Sequence, residues 1–347
     1  MSGGQHAPDC QFYSANHAQS GPGGESGAVI QQLPDGTVKI RLEIGMLERG
    51  DTAAPTKPDR PVSDRAPSAK QSSMKLLGLL HYLWDEAGLN LWKPAFAGKR
   101  RASLAYWLLN NAADNVWAGK VKLVDQLLLP AFGADTREAD RNRTRAAAAL
   151  DAKYRMLLVA PLAAFTQERC DGMSRQLKIG GFHGMPMAFM LGGLWDSTMR
   201  RFPLAIAGWR KGHATVAIAQ VELRQGAKGV YASVIDMALM SITAEFIPVE
   251  SGYERIVADQ LVAQCRSFAK PLRYDANADQ VLPDFILTDT AREVPLEVFG
   301  RDDVEYLRRK MEKIAYYDEK YGKDGWWRWD GAADGAVSNL PVFPPAR

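Results

Sequence analysis

The chain is poor in cysteine, with three in 347 residues, Cys10, Cys170 and Cys265, far apart in sequence. That excludes a disulfide framework, and no Cys/His spacing completes a four-ligand zinc site. Long apolar runs are missing too. No stretch approaches the roughly 18 to 20 apolar residues needed to cross a bilayer, and the opening MSGGQHAPDC has neither the basic region nor the apolar core of a secretion signal. A soluble cytoplasmic protein with no membrane partner is expected. Excess charge of one sign is also absent: 43 Lys+Arg against 40 Asp+Glu leave a formal +3, so bulk charge neither demands nor excludes nucleic acid.

What is present suffices for more than one folded unit, since 46% of the residues are hydrophobic. The expected fold class is α+β or α/β, multidomain. Residues 1–73 read as a mostly flexible arm with one hairpin at Pro34-Asp35-Gly36. In it, TAAPTKPDRPVSDRAPSAKQSS carries too little apolar side chain to offset chain entropy and is expected to be disordered. Residues 74–153 form a helical unit, open to a winged-helix arrangement. Its helices are MKLLGLLHYLWDEAG, with Ser73 as N-cap and Gly88 just past the end, then 102–115, 119–128 and 135–152. Residues 154–250 are β-rich, through RMLLVAPLAAF, PLAIAGW and a hairpin of TVAIAQVEL with VYASVIDMALM across RQGAKG. In 251–325 the order is helix (251–266), strands (268–274, 281–288, 294–299) and helix (303–321). Residues 326–347 read as a tail laid on the surface.

Within LPDFILTDTAREVPLEVFG, residues 282–300, two short apolar runs each carry one carboxylate, Asp284 and Glu297. Side chains alternate along a strand, so Asp284 shares a face with Ile286 and Thr288, and Glu297 with Phe299. If the strands are neighbours, both acids sit at adjacent ends of one face. Gathering ionised carboxylates in a partly buried cleft is unfavourable unless a cation is there, and a hard divalent ion is the usual relief. Glu254, on the first turn of the preceding helix, is a third acid. Ser251-Gly-Tyr-Glu254 is equally a capping box, in which Glu254 satisfies only backbone.

Helix Glu254, then Pro283-Asp284-Phe285, then E-V-x-G at 297–300 and Y-L-x-x-K at 306–310, resembles the PD-(D/E)XK, or restriction-endonuclease-like, nuclease superfamily over residues 251–321. The resemblance implies a restriction-endonuclease-like α/β core that hydrolyses phosphodiesters in DNA. It further implies that Asp284 and Glu297 bind Mg²⁺ or Mn²⁺, with Glu254 a third acid. More of the chain, from HAPDC through LLHYLWDEAGLNLWKPAFAGKR to PLEVFG, resembles a bacterial family of plasmids and integrative elements, domain-of-unknown-function family 1173. That implies a mobile-element setting and no mechanism.

One departure matters. In the superfamily a lysine follows the second acid by two residues on the same strand face; here that position is Phe299. General acid–base assistance is worth about 10² to 10⁴ in rate, so an unreplaced loss leaves a poor enzyme. On the next helix Val304, Leu307, Met311 and Ile314 form a core stripe, with Tyr306, Lys310, Lys313 and Tyr317 beside it. Lys310 or Lys313 is either the replacement or a solvated surface lysine. Without one, the second reading is an inactive nuclease-fold DNA-binding or assembly module.

Other groups carry less. His6 and Cys10 have the spacing of half a zinc site, so no zinc is expected there. Lys99, Arg100, Arg101 and Arg309 are candidate phosphate contacts, with a solvated charge run as the alternative for the first three. His183 in GGFHGMP and His213 have no sequence neighbours that suggest a triad. Trp326, Trp327 and Trp329 either stack on bases or pin the chain end to apolar surface.

Overall fold

The computed structural model describes residues 29–48, 73–273, 281–300, 303–334 and 339–347. His6, Cys10 and most of the expected linker lie outside the described residues. Mixed α and β structure is organised around three sheets. In the first, Ile30–Gln32 and Val38–Ile40 form the hairpin, with Gly36 at φ +83° and the Asp35 carboxylate accepting from the Thr37 N–H. Val38–Ile40 then pairs in parallel with Val116–Ala118. Residues 29–48 are therefore no arm: Ile40, Leu42 and Met46 are buried in the core of the helical unit.

The second sheet runs Pro248–Val249, Gly229–Ile242, Thr215–Gly226, Met156–Pro161, Leu127–Leu128, with Met187–Met190 alongside Gly229–Ile242. Its long hairpin turns at Ala227-Lys228, because Gly226 pairs with Gly229. Alternation gives it two apolar faces. Leu157, Val159, Val216 and Ile218 pack with leucines of helix Leu76–Glu86. Met156, Leu158, Ala217 and Ala219 pack with Ala146 and Ala149 of helix Arg137–Ala152. Those two helices lie on opposite faces, so 74–153 is not a separate winged-helix unit. Two sequence expectations are corrected. Residues 119–128 hold strands Val121–Lys122 and Leu127–Leu128 around the 3-10 turn Leu123–Gln126. PLAIAGW belongs to helix Pro203–Arg210, opened by proline at the position where its missing N–H costs nothing.

The third sheet has the order Trp327–Asp330, Val294–Phe299, Phe285–Leu287, Phe268–Ala269, Leu91–Trp92. Val257, Ala258 and Leu261 of helix Gly252–Ala263 pack on the face of Phe285 and Leu296. Tyr317 of helix Val304–Tyr321 packs on the other, with Phe299 and Trp326. This is a three-layer α/β/α unit. Its edges come from far apart: Leu91–Trp92 from the helical region and Trp327–Asp330 from the segment read as a surface tail. That segment is structural, since Phe343 packs on Trp327, ring centroids 5.0 Å apart. Trp326, Trp327 and Trp329 are all buried, which removes them as base-stacking platforms. No helix among the described residues is long and apolar enough to cross a membrane.

Candidate functional site

Phe285 pairs with Leu296, and the same antiparallel register sets Asp284 across from Glu297 at the strand ends. Glu297 projects towards helix Val304–Tyr321, whereas Asp284, at the sheet end, acts electrostatically on Glu254 and Lys270 on one side and on Glu297 and Lys313 on the other. Asp284 lies just before its strand, where Oδ2 accepts from the Val298 N–H at 2.7 Å. Its Oδ1 meets, among the described residues, only the Lys270 ammonium at 3.8 Å, and its side chain is 20% exposed.

Glu297 is enclosed. Its side chain is 1% exposed, Lys313 Nζ stands 3.2 Å from Oε2, and the Tyr317 hydroxyl donates to Oε1 at 2.8 Å. Lys313 keeps 38% of its side chain exposed, so its stem covers Glu297 while its end reaches solvent. Phe299 is 2% exposed and does no more than pack. Lys310 pairs with Asp330 and lies over the Phe299 ring rather than reaching Glu297. Lys313 is thus the lysine at the acids, and Lys310 is not.

This arrangement turns the helix. Of the stripe expected in the core, Leu307 is 42% exposed and Met311 72% exposed, Ile314 is partly buried against the Phe299, Tyr317 and Trp326 cluster, and the side chain of Val304 lies outside the described residues. Tyr317, Lys310 and Lys313 face the sheet instead, since Glu297 and Asp330 offer them charge to neutralise. Arg309 is partly buried on the same helix.

Glu254 belongs to the opposite layer. Ser251 caps its helix by accepting from the Glu254 N–H, and Glu254 Oε2 accepts from the Glu250 N–H at 3.0 Å. Half of the capping box is formed: Ser251 caps the helix, while Glu254 reaches the N–H of Glu250 rather than that of Ser251, and the same oxygen takes the Lys270 ammonium at 2.8 Å, both side chains buried. Lys270 also stands over the Phe285 ring, 5.2 Å from its centroid. The three acids are linked through Asp284 at the sheet end rather than gathered on one face.

Burial pushes Glu254 and Glu297 up, each to about 7. Lys270 and Lys313 oppose that shift, and the charge of Asp284 adds to it. Burial also disfavours charge on the two ammoniums, but the facing carboxylates outweigh it and hold both lysines above their ordinary value. The lysines therefore keep their protons, and the carboxylates are the groups that titrate. Tyr317 is raised first by burial and then by Glu297, so it remains a donor.

The donor chemistry suits a hard divalent cation, with hard oxygens and one of them open at Asp284 Oδ1. The ligand number is low: among the described residues no group of three or more His, Cys, Asp or Glu is placed to hold a metal ion. Sequence reasoning missed Lys270, although SFAKPL carries the same signal as PDFIL, a lone charge in a buried run.

The other basic candidates divide. Arg100 is spent on structure, donating to the carbonyls of Gly88, Leu89, Leu91 and Glu245 and lying over Trp92 and Phe96. Its neighbours Lys99 and Arg101 are exposed. Set beside known proteins, residues 1–332 match the family model described as protein of unknown function, DUF1173. No curated protein matches the chain.

Proposed function

The chain belongs to the DUF1173 family, and we propose that its C-terminal α/β/α unit is a PD-(D/E)XK-type, divalent-metal-dependent nuclease acting on DNA, in the mobile-element setting that the family resemblance suggests. One observation carries the proposal: the register sets Asp284 across from Glu297, with the Lys313 ammonium 3.2 Å from Glu297 although Phe299 occupies the motif's lysine position. The order helix, three strands, helix, strand over Gly252–Asp330 supports the same reading.

Asp284, through its open Oδ1, and Glu297 would hold Mg²⁺ or Mn²⁺, which polarises a phosphate and lowers the pKa of bound water. The chain's own residues do the rest. Lys270 and the Val298 N–H orient Asp284, while Tyr317 orients Glu297. Lys313 presents a partly exposed ammonium beside the acids, able to hold a proton or a phosphate oxygen there. Glu254 acts at one remove, by fixing Lys270.

Asp284→Ala is expected to abolish Mg²⁺- or Mn²⁺-dependent cleavage of plasmid and oligonucleotide DNA while leaving the thermal midpoint within a few degrees of the parent. Parent-like cutting by that variant excludes the assignment. The enclosure of Glu297 and the two-carboxylate ligand set favour a second reading, a nuclease-fold module that binds DNA without turnover. Salt-sensitive DNA binding with no cleavage in any divalent ion would select it.

A further inference from the structure

A second feature lies outside the carboxylate site. Helices Ala102–Ala112 and Arg137–Ala152 enclose a cavity of about 330 Å³, floored by the loop after Leu127–Leu128. That volume is at the small end for ligand clefts and suits one nucleotide. Two of its walls are aromatic and open to solvent, Trp107 at 54% and Phe132 at 57% exposed. Aromatic faces grouped at one cavity offer surfaces on which a flat partner stacks.

Arg141 and Arg145 line the cavity one turn apart. Arg145 is committed to the Leu127 carbonyl and the Asn110 side chain, whereas Arg141 makes no hydrogen bond or ion pair among the described residues. Burial and then the neighbouring Arg141 disfavour charge on Arg145, offset in part by Asp125 and Asp114. One carboxylate, Glu138, shares the lining.

The GGFHGMP loop adjoins this cleft. Ala131, in the cavity lining, donates its N–H to Gly181 and bridges to Phe182. Phe182 is 61% exposed and stacks on His183, centroids 4.9 Å apart at 23°. Gly184, at φ +73°, lets the loop lie against helix Arg137–Ala152, since a Cβ there would fall 2.1 Å from the Ala139 carbonyl oxygen. The loop is thereby held as a second aromatic platform beside the first.

We propose that this cleft binds single-stranded DNA, with one nucleotide in the cavity against Trp107 and Phe132, its phosphate at Arg141, and an adjacent base on the Phe182–His183 stack. Aromatic platforms interleaved with a cation suit flexible single strands, whose bases are free to stack. A duplex keeps its bases stacked on each other and offers none. Asn142 and Thr136, in the lining, are spent on backbone partners, and the stacking surfaces, which suit any base, outnumber the remaining polar side chains Ser103 and Glu138. As the substrate form of the nuclease, this rests on the reading above; as a binding site it does not.

The test uses the full chain in excess chelator, where cleavage is silent, and fluorescence anisotropy of a labelled single strand of roughly twenty nucleotides. Saturable binding is expected, weaker for the matching duplex and similar for different base compositions. Trp107→Ala and Phe182→Ala should each weaken it by about 5- to 100-fold, with thermal midpoints unchanged, and Arg141→Glu should weaken it and flatten its salt dependence. Mononucleotides titrated in parallel identify the source: Trp107-dependent competition at comparable concentration points to a free nucleotide and overturns the strand assignment. A duplex preference, absence of saturable binding, or indifference to all three substitutions overturns it as well. Loss of cleavage in Asp284→Ala with single-strand binding intact leaves this site standing.

Discussion

Lys270→Met isolates the electrostatics that hold the layers together. The Lys270 and Glu254 side chains are 4% and 8% exposed. Methionine retains most of the stem's volume and its contact with Phe285 while deleting the ammonium. Breaking a buried pair by removing one partner costs about 3 to 5 kcal/mol, because the remaining charge stays desolvated. The exposed pair Lys122–Asp114, at 33% and 57%, gives the scale for comparison: surface pairs are worth about 0 to 1 kcal/mol. Glu254→Gln supplies the second arm. A glutamine oxygen can still accept from the Glu250 N–H, so in the double variant the orphaned charge disappears, and the loss should be about 1 to 3 kcal/mol smaller than the sum of the single losses. Because burial already lifts Glu254 to about 7, the Lys270→Met penalty should also shrink between pH 8 and pH 5, as Glu254 takes up a proton. Urea denaturation followed by tryptophan fluorescence reads all four proteins. A penalty below about 1 kcal/mol, strict additivity, or a penalty that grows on acidification would refute the reasoning.

Tyr317→Phe removes the neutral donor to Glu297 and leaves Lys313; hydrogen bonds to charged groups are worth about 1.5 to 3 kcal/mol, and a loss of that size in urea is expected with little change in the slope. Glu297 and Glu254 are raised by burial to about 7 from 4.5, so the folded protein holds protons there that the unfolded chain has shed. Their contribution to stability is therefore full below pH 4.5 and is lost as pH rises through 7. Since a cation held by Asp284 and Glu297 needs Glu297 ionised, thermal stabilisation by Mg²⁺ should grow as pH rises through the same window, and a flat response would contradict it. His81 runs the other way. Burial, then Lys270, lowers it from 6.5 to about 3. Its contribution is present above pH 6.5 and is lost as pH falls towards 3, by up to about 5 kcal/mol; an acid-unfolding midpoint unmoved by His81→Phe would disprove it.

Legibility in the sequence followed locality. Val294–Phe299 was readable to its ends because it is a short apolar run, broken only by Glu297 and bounded by Glu293 and Gly300, and the 251 capping signal marked the start of helix Gly252–Ala263. PLAIAGW was misread because six apolar or small residues after a proline suit a buried strand and a short helix equally, and the choice is made by packing of Ile206 and Trp209 on the second sheet. The acids were visible, since one charge in an apolar run is conspicuous. Their partners were not. That Lys310 and Lys313 of helix Val304–Tyr321 turn inward depends on the pull of Asp330 and Glu297, which outweighs the apolar stripe of Leu307 and Met311. Lys270 is joined to Glu254 only once the sheet has formed.

The flanking strands of the third sheet have a consequence for biogenesis. Asn90 donates to the Lys270 carbonyl across 180 residues of chain, and the far rim is closed by Trp327–Asp330. On the ribosome the acid-bearing strands emerge before one of their two borders has been translated. A fragment cut at either former boundary leaves a raw hydrogen-bonding margin prone to self-association. Productive expression therefore calls for the chain in one piece.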